Sequence, residues 1–357
     1  MKKIRVAIDC RMIECSGIGV YLRNILKYML SDISIDYLLL GKESDLSVYE
    51  NYSNCEIAIV NILPFSLKEL VMFPVQKVNR CDCFYTPNYN VPLGIKIPII
   101  STIHDVVFLD IPHLTSPIGR FMRYVYLKQA IIRSQSLFTV SRFSKDRILH
   151  YFPNIRHLKI TYNGVADTIM PISEKASPQY PFPYFLYVGN IKPHKGLKCL
   201  LEAYSHLKEN GEKRKLVIVG KSENFKTADQ YIQRLLKAGT LNNDVIFTGR
   251  IDDKKLVNII SFASLLIQPS IYEGFGIPPL ESVYLGTPVL ISDIPVFREI
   301  YKGFPVEFFL CNNVYDLYHK MQNHDCQRVK LSCAQKNKYT YKKTASIVMN
   351  DIKQIVQ

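Results

Sequence analysis

Two glutamates, Glu273 and Glu281, bracket a glycine turn and a proline pair within the twelve residues Ser270-Ile-Tyr-Glu-Gly-Phe-Gly-Ile-Pro-Pro-Leu-Glu281. Gly274 and Gly276 permit positive φ or a close approach of backbone to a ligand. Pro278 and Pro279 suit a first helical turn, where no N–H partner is needed. A helix that starts here offers unpaired amides and a partial positive charge, which attract an anion such as phosphate. Carboxylates that accept from neutral hydroxyls are the chemistry of sugar binding. If Glu273 and Glu281 face one cleft, they can hold different parts of one ligand. The plain alternative is a tight turn with a helix-capping carboxylate.

The elements that must position these residues are legible on either side. The apolar run Ser264-Leu-Leu-Ile-Gln-Pro269 reads as a strand, and Leu280-Glu-Ser-Val-Tyr-Leu285, closed by Gly286, reads as a helix. The same succession of strand, glycine turn and helix opens the chain, where Ile4-Arg-Val-Ala-Ile-Asp9 precedes Ser16-Gly-Ile-Gly-Val-Tyr-Leu-Arg-Asn-Ile-Leu26. Gly17 and Gly19 suit either a phosphate at a helix N-terminus or a plain turn. It returns at Tyr184-Phe-Leu-Tyr-Val-Gly-Asn-Ile-Lys-Pro-His-Lys-Gly-Leu197, which puts Lys195 at or near a helix start. A cation beside helix amides is locally unfavourable unless an anion satisfies both.

Further strand-like runs stand at Asp36–Leu40, Glu56–Val60, Cys83–Tyr85, Ile97–His104, Leu137–Val140 and Lys159–Tyr162, and later at Lys215–Lys221 and Val245–Arg250. Their alternation with helical or loop stretches predicts parallel α/β sheets. His104 and Asp105 then emerge at the C-terminal edge of a strand, where open α/β sheets place ligands. Asp252 and Asp253 suggest a metal pair, but the helical pattern after them makes N-capping the better account.

At 357 residues, with 48% hydrophobic content, the chain exceeds the size at which one core keeps growing, so two domains are expected. No run approaches the roughly 20 apolar residues of a membrane span. The apolar core near Met1 is too short for a signal peptide, which predicts a cytoplasmic protein. The nine cysteines contain no C-x-x-C pair and read as reduced thiols. The net charge of +14 is uneven: residues 116–160 hold nine basic side chains against Asp146 alone. Interleaved Phe121, Tyr124, Tyr126 and Phe143 suit an anionic membrane surface or nucleic acid, and solvated helix faces are the bland account. No recognition motif supports nucleic acid. Arg328, Lys330, Lys336, Lys338, Lys342 and Lys343 form a second cluster, and both clusters fit a peripheral enzyme acting on a lipid-linked acceptor.

Glu273-Gly-Phe-Gly-Ile-Pro-Pro-Leu-Glu281, followed by Gly286-Thr-Pro-Val-Leu290, resembles the signature of the retaining glycosyltransferases of family 4. The resemblance covers nearly the whole chain, densely from 184 to 300. It implies an α/β, GT-B architecture of two Rossmann-like domains facing a central cleft. The expected divisions are an acceptor-side domain over 1–166, a proline-rich linker over 167–183, a nucleotide-sugar domain over 184–334, and a terminal helix over 335–357 that returns to the first domain. Tyr341 stands in that last stretch where tryptophan is usual.

The resemblance also assigns roles. Gly17 and Gly19 face the donor diphosphate, His104 lies near the sugar and acceptor with Asp105 beside it, and Arg250 lies near the base. Lys195 sits on the diphosphate. Asn190 replaces the usual arginine, leaving Lys192 or His194 to compensate. The backbone at Gly274, Phe275, Gly276 and Ile277 stabilises the leaving group with Lys195, while Glu273 orients the sugar and Glu281 the ribose. The expected catalytic set is Glu273, His104 and Lys195. The implied reaction moves a hexose, with retention, from a nucleotide sugar to a glycan or lipid-linked saccharide in surface-polysaccharide (O-antigen or capsule) synthesis. GDP-mannose is the favoured donor, and no metal or other cofactor is expected. The alternative is a GT-B subunit that binds a sugar nucleotide but is catalytically impaired, as Asn190 suggests.

Overall fold

The computed structural model describes residues 3–15, 17–66, 68–170, 176–220 and 243–357; Ser16, Pro171 and Lys221 of the stretches above lie outside them. The chain divides into two units, one of residues up to Gly164 together with Tyr339–Gln357, the other of Val165–Lys338.

The first unit is built on seven parallel strands: β1 (Ile4–Asp9), β2 (Ile35–Gly41), β3 (Cys55–Ile59), β4 (Cys83–Thr86), β5 (Ile99–Ile103), β6 (Ser136–Thr139) and β7 (Leu158–Ile160). They lie in the order β3-β2-β1-β4-β5-β6-β7. Every residue of β4, β5 and β6 is buried, as continuous β-rich runs covered on both faces require. The helix Ile18–Leu30 buries Tyr21, Leu22, Ile25, Leu26 and Met29 at helical spacing on one side of this sheet. The terminal helix Tyr341–Val356 adds Tyr341, Ala345, Val348 and Ile352 to the same core. Lys353 pairs with Asp32 at 2.8 Å, and Lys159 with Asp351. Gly164 is needed where this helix begins, because a Cβ there would lie 2.2 Å from the Tyr341 amide nitrogen.

The second unit repeats the plan with six parallel strands: β8 (Tyr184–Val188), β9 (Lys215–Val219), β10 (Val245–Gly249), β11 (Leu265–Gln268), β12 (Val289–Ser292) and β13 (Glu307–Phe309), ordered β10-β9-β8-β11-β12-β13. Both sheets therefore step outward from their first strand, then reverse and continue on its other side. This is the doubly wound order, and it places a switch point between β1 and β4 and another between β8 and β11. The second core gathers Phe185, Tyr187, Leu200, Tyr204, Leu265 and Ile267 around the helix Leu197–Glu209.

The stretch 176–183 lies on the second unit, where Asn258 donates to the Ser177 carbonyl and accepts from the Gln179 amide. All nine cysteines are free thiols. No helix among the described residues is long and apolar enough to cross a membrane.

Candidate functional site

The second switch point is shaped by two loops pressed together. After β8 the chain passes Gly189 and Asn190, makes the short 3-10 turn Pro193–Lys195, and enters the helix Leu197–Glu209 through Gly196, whose φ is 70°. A Cβ at Gly196 would fall 1.8 Å from the Pro269 carbonyl oxygen, so only glycine lets this turn meet the loop after β11. The contact is continued by the Ile271 amide, which donates to the His194 carbonyl at 2.8 Å.

This apposition delivers Lys195 Nζ to within 2.6 Å of Glu273 Oε2, with side chains 19% and 12% exposed. The other carboxylate oxygen accepts from Ser270 Oγ at 2.9 Å, and Ser270 Oγ accepts from Gln268 Nε2 at 3.1 Å. Ser292 Oγ donates to the Ser270 carbonyl. Glu273 is thus held from behind by a buried polar chain that ends β11 and β12, and from the front by a lysine. Ser270 and Gln268 had no assigned role from sequence; the available signal was a buried amide and hydroxyl at the end of an otherwise apolar strand.

His194 does not serve as a compensating cation. Burial, reinforced by the charges of Lys195 and Lys192, lowers its pKa to about 3, so its ring is neutral. The Asn190 carbonyl accepts from the Tyr187 hydroxyl at 3.1 Å, which shapes the turn after β8.

The glycine turn that follows Glu273 ends at Gly276, with φ 90°, where a Cβ would lie 2.4 Å from Cε1 of Phe297. The Gly276 carbonyl accepts from the Tyr301 hydroxyl. The helix Ile277–Tyr284 then begins with Pro278 and Pro279 in its first turn. It ends with the Gly286 amide on the Val283 carbonyl and the Thr287 amide on the Ser282 carbonyl, Gly286 taking φ 78°. That is a Schellman closure, and it explains Gly286-Thr-Pro. Glu281 lies inside this helix, 7% exposed. Burial, with Asp253 adding to it, raises its pKa to about 8. At neutral pH it is mostly the acid, so the expected pair of carboxylates is one carboxylate and one carboxyl able to donate as well as accept.

Arg250 is exposed just beyond β10, after Gly249 at φ 70°. The Asp252 carboxylate accepts from the Lys255 amide at 2.9 Å and caps the helix Asp253–Phe262, as the capping reading of the aspartate pair required.

In the first unit, Gly17 caps the helix Ile18–Leu30 at φ 74° with open space around it. Gly19 has a packing reason of its own: a Cβ there would lie 2.2 Å from the Ile13 carbonyl oxygen. The helix these glycines begin carries Tyr21, whose ring meets His104 edge-on at 5.0 Å. His104 Nε2 donates to the Pro87 carbonyl at 3.0 Å, which leaves Nδ1 as an acceptor. Burial lowers this ring's pKa to about 4, so it too is neutral. Ser141 caps the helix Arg142–Tyr151, and Ser144 donates to the His104 carbonyl at 3.1 Å. Asp105 accepts from the Val107 amide at 3.1 Å, a local turn contact. Just past the end of β1, Arg11 is buried between Asp9 at 2.6 Å and Glu69 at 2.5 Å, and Asn90 donates to Glu69 at 2.7 Å.

Residues 172–311 match the family model described as glycosyl transferases group 1. The chain is similar to O-antigen chain mannosyltransferase B of Escherichia coli, 27% identical over 61% of this chain and 58% of that protein. It is also similar to O-antigen chain mannosyltransferase RfbU of Salmonella typhimurium, 31% identical over 60% of this chain and 57% of that protein. The chain thus spans less than two thirds of either relative. Among solved structures, a glycosyltransferase from Rickettsia africae matches with a TM-score of 0.71 at 16% identity, covering 100% of both chains. Anabaena Alr3699/HepE, solved with UDP and glucose, matches with a TM-score of 0.70 at 16% identity, covering 99% of this chain and 97% of that one. At such identity the structures speak for the fold alone. The chain shares with these solved structures the GT-B fold of two Rossmann-like domains, and its residues 172–311 match the glycosyl transferases group 1 model.

Proposed function

We propose that the chain is a glycosyltransferase that moves a hexose from a nucleotide sugar to a glycan or lipid-linked saccharide in O-antigen or related surface-polysaccharide synthesis. In this reading it is a retaining enzyme of family 4, its donor is GDP-mannose, and no divalent metal takes part. The observation that carries the reading is the Lys195–Glu273 pair at the β8/β11 switch point, beside the glycine-headed helix Ile277–Tyr284. The mannosyltransferase relatives favour mannose among hexoses.

The problem such a site solves is leaving-group charge. As the anomeric C–O bond breaks, its electron pair goes to the diphosphate; the acceptor hydroxyl oxygen forms the new bond and its proton departs with the diphosphate. Lys195 and the main chain at Gly274, Phe275, Gly276 and Ile277 stabilise the developing anion, at roughly a few kcal/mol per well-placed donor. Glu273 accepts from sugar hydroxyls, and Glu281, kept as the acid, exchanges hydrogen bonds with the ribose. Arg250 serves the base. In the first domain, Gly17 and Gly19 serve the diphosphate, and the neutral His104 accepts a hydrogen bond from a hydroxyl at Nδ1, with Asp105 beside it.

The acceptor side of the reading includes an anionic membrane surface. On the helix Pro117–Arg133, Ile118, Phe121, Met122 and Ile132 follow one helical stripe and are 78%, 64%, 43% and 70% exposed. Arg123 and Lys128 are exposed on the same helix. An apolar stripe with basic neighbours is the composition of an interfacial helix.

The test is transfer by the purified chain from a panel of GDP-, UDP- and dTDP-sugars to a lipid-linked saccharide. Transfer from GDP-mannose with retained configuration is expected. Binding of a sugar nucleotide without transfer or hydrolysis would instead favour the catalytically impaired subunit.

A further inference from the structure

We infer that Glu273 also makes the site discriminate a sugar nucleotide from the bare nucleoside diphosphate, by occupying the cation that the diphosphate needs. The inference rests on the function proposed above. Lys195 Nζ and Glu273 Oε2 are in contact at 2.6 Å, and both side chains are mostly out of water, so their attraction is weakly screened. Glu273 does not follow the lysine without loss. Its second oxygen is fixed by Ser270, which is itself fixed by Gln268 and, through its carbonyl, by Ser292. The neighbouring His194 is neutral and offers the carboxylate no charge in exchange.

A diphosphate that takes Lys195 therefore leaves a largely buried carboxylate without its cation and beside a second anion. Both consequences oppose binding, because a buried charge that loses its partner is costly and like charges at short range repel. A sugar attached to the diphosphate brings hydroxyl donors to the same carboxylate and replaces what the lysine gave. The donor is then accepted and the spent nucleotide, having lost its sugar, is disfavoured. This is specificity by an unpaired charge placed against the wrong ligand. It gives Glu273 a second task after sugar transfer, the expulsion of the product.

The experiment is isothermal calorimetry with GDP, UDP and dTDP, and with the corresponding hexose nucleotides, on the full chain and on Glu273→Gln, Glu273→Ala, Lys195→Met and Glu273→Gln/Lys195→Met, each checked for a cooperative melt. The glutamine keeps the shape and loses the charge; the alanine serves if the glutamine variant does not fold. The expected result is a diphosphate bound at least tenfold more tightly by the Glu273 variant than by the wild type, with the gain lost when Lys195 is also replaced. Unchanged or weaker diphosphate binding by the Glu273 variants overturns the inference alone. A gain that survives Lys195→Met also overturns it. Failure of every sugar nucleotide to bind the wild type overturns the proposed function and this inference with it.

Discussion

Lys195 and Glu273 form an ion pair at 2.6 Å, joining the turn after β8 to the loop after β11. The family resemblance assigns them to different parts of the donor, the lysine to diphosphate and the glutamate to sugar. Their contact makes them one unit, positioned by the Gly196–Pro269 approach and the His194–Ile271 hydrogen bond. Groups that act as a unit give non-additive losses.

Lys195→Ala and Glu273→Ala are each expected to lower sugar transfer at least about 100-fold. The double variant is expected to lose little beyond the worse single one. Initial rates of transfer, read beside thermal melts that show retained folding, check this.

Gly196→Ala combines a left-handed φ with a backbone carbonyl oxygen 1.8 Å from the new Cβ, whereas Gly276→Ala meets the edge of a Phe297 ring. Loss of at least about 1–3 kcal/mol is expected at Gly196 from the backbone conformation alone. Gly196→Ala should also abolish donor binding, because it parts the two loops that carry Lys195 and Glu273. Chemical denaturation and calorimetry check the two effects separately.

Glu281 and His104 should shape opposite arms of the stability profile. The Glu281 carboxyl is raised from 4.5 to about 8, so its contribution is fully present below pH 4.5 and lost as pH rises through 8. The His104 ring is lowered from 6.5 to about 4, so its contribution is fully present above pH 6.5 and lost as pH falls through 4. Denaturation from pH 4 to 9 is expected to show a decline between pH 6.5 and 8 that Glu281→Gln flattens. Between pH 4.5 and 6.5 the two contributions oppose each other, so His104→Asn should leave stability rising there as pH falls.

Replacing Ile118 and Phe121 together by aspartate is expected to reduce co-sedimentation with anionic phosphatidylglycerol vesicles at least tenfold. Binding to phosphatidylcholine should be weak for both proteins. The exposed positions of these side chains predict no loss of thermal stability.

Much of the fold was legible as period and punctuation. The run Leu137–Val140 becomes β6 over Ser136–Thr139, and Cys83–Tyr85 becomes β4 over Cys83–Thr86. The strand-turn-helix reading at Ser264–Leu285 holds because β11, Gly276 and the proline-started helix each follow from local residue types. The Lys195–Glu273 contact was not legible, since it depends on a glycine in one loop fitting under a carbonyl in another. Nor was the charge of Glu281, which depends on what buries it and on Asp253 nearby. Gly19 suited a phosphate or a plain turn, and its approach to the Ile13 carbonyl is a further reason for glycine there that only packing reveals. His194 likewise read as a spare cation until its burial was seen.

The most direct test is a thermal-shift measurement of the wild type and Lys195→Ala against a panel of GDP-, UDP- and dTDP-hexoses, because a ligand that binds only the native form raises its melting temperature according to affinity and concentration. The account predicts that GDP-mannose raises the wild-type midpoint and leaves that of Lys195→Ala unmoved. A panel in which no sugar nucleotide shifts the wild type, or in which both proteins respond equally, would contradict it.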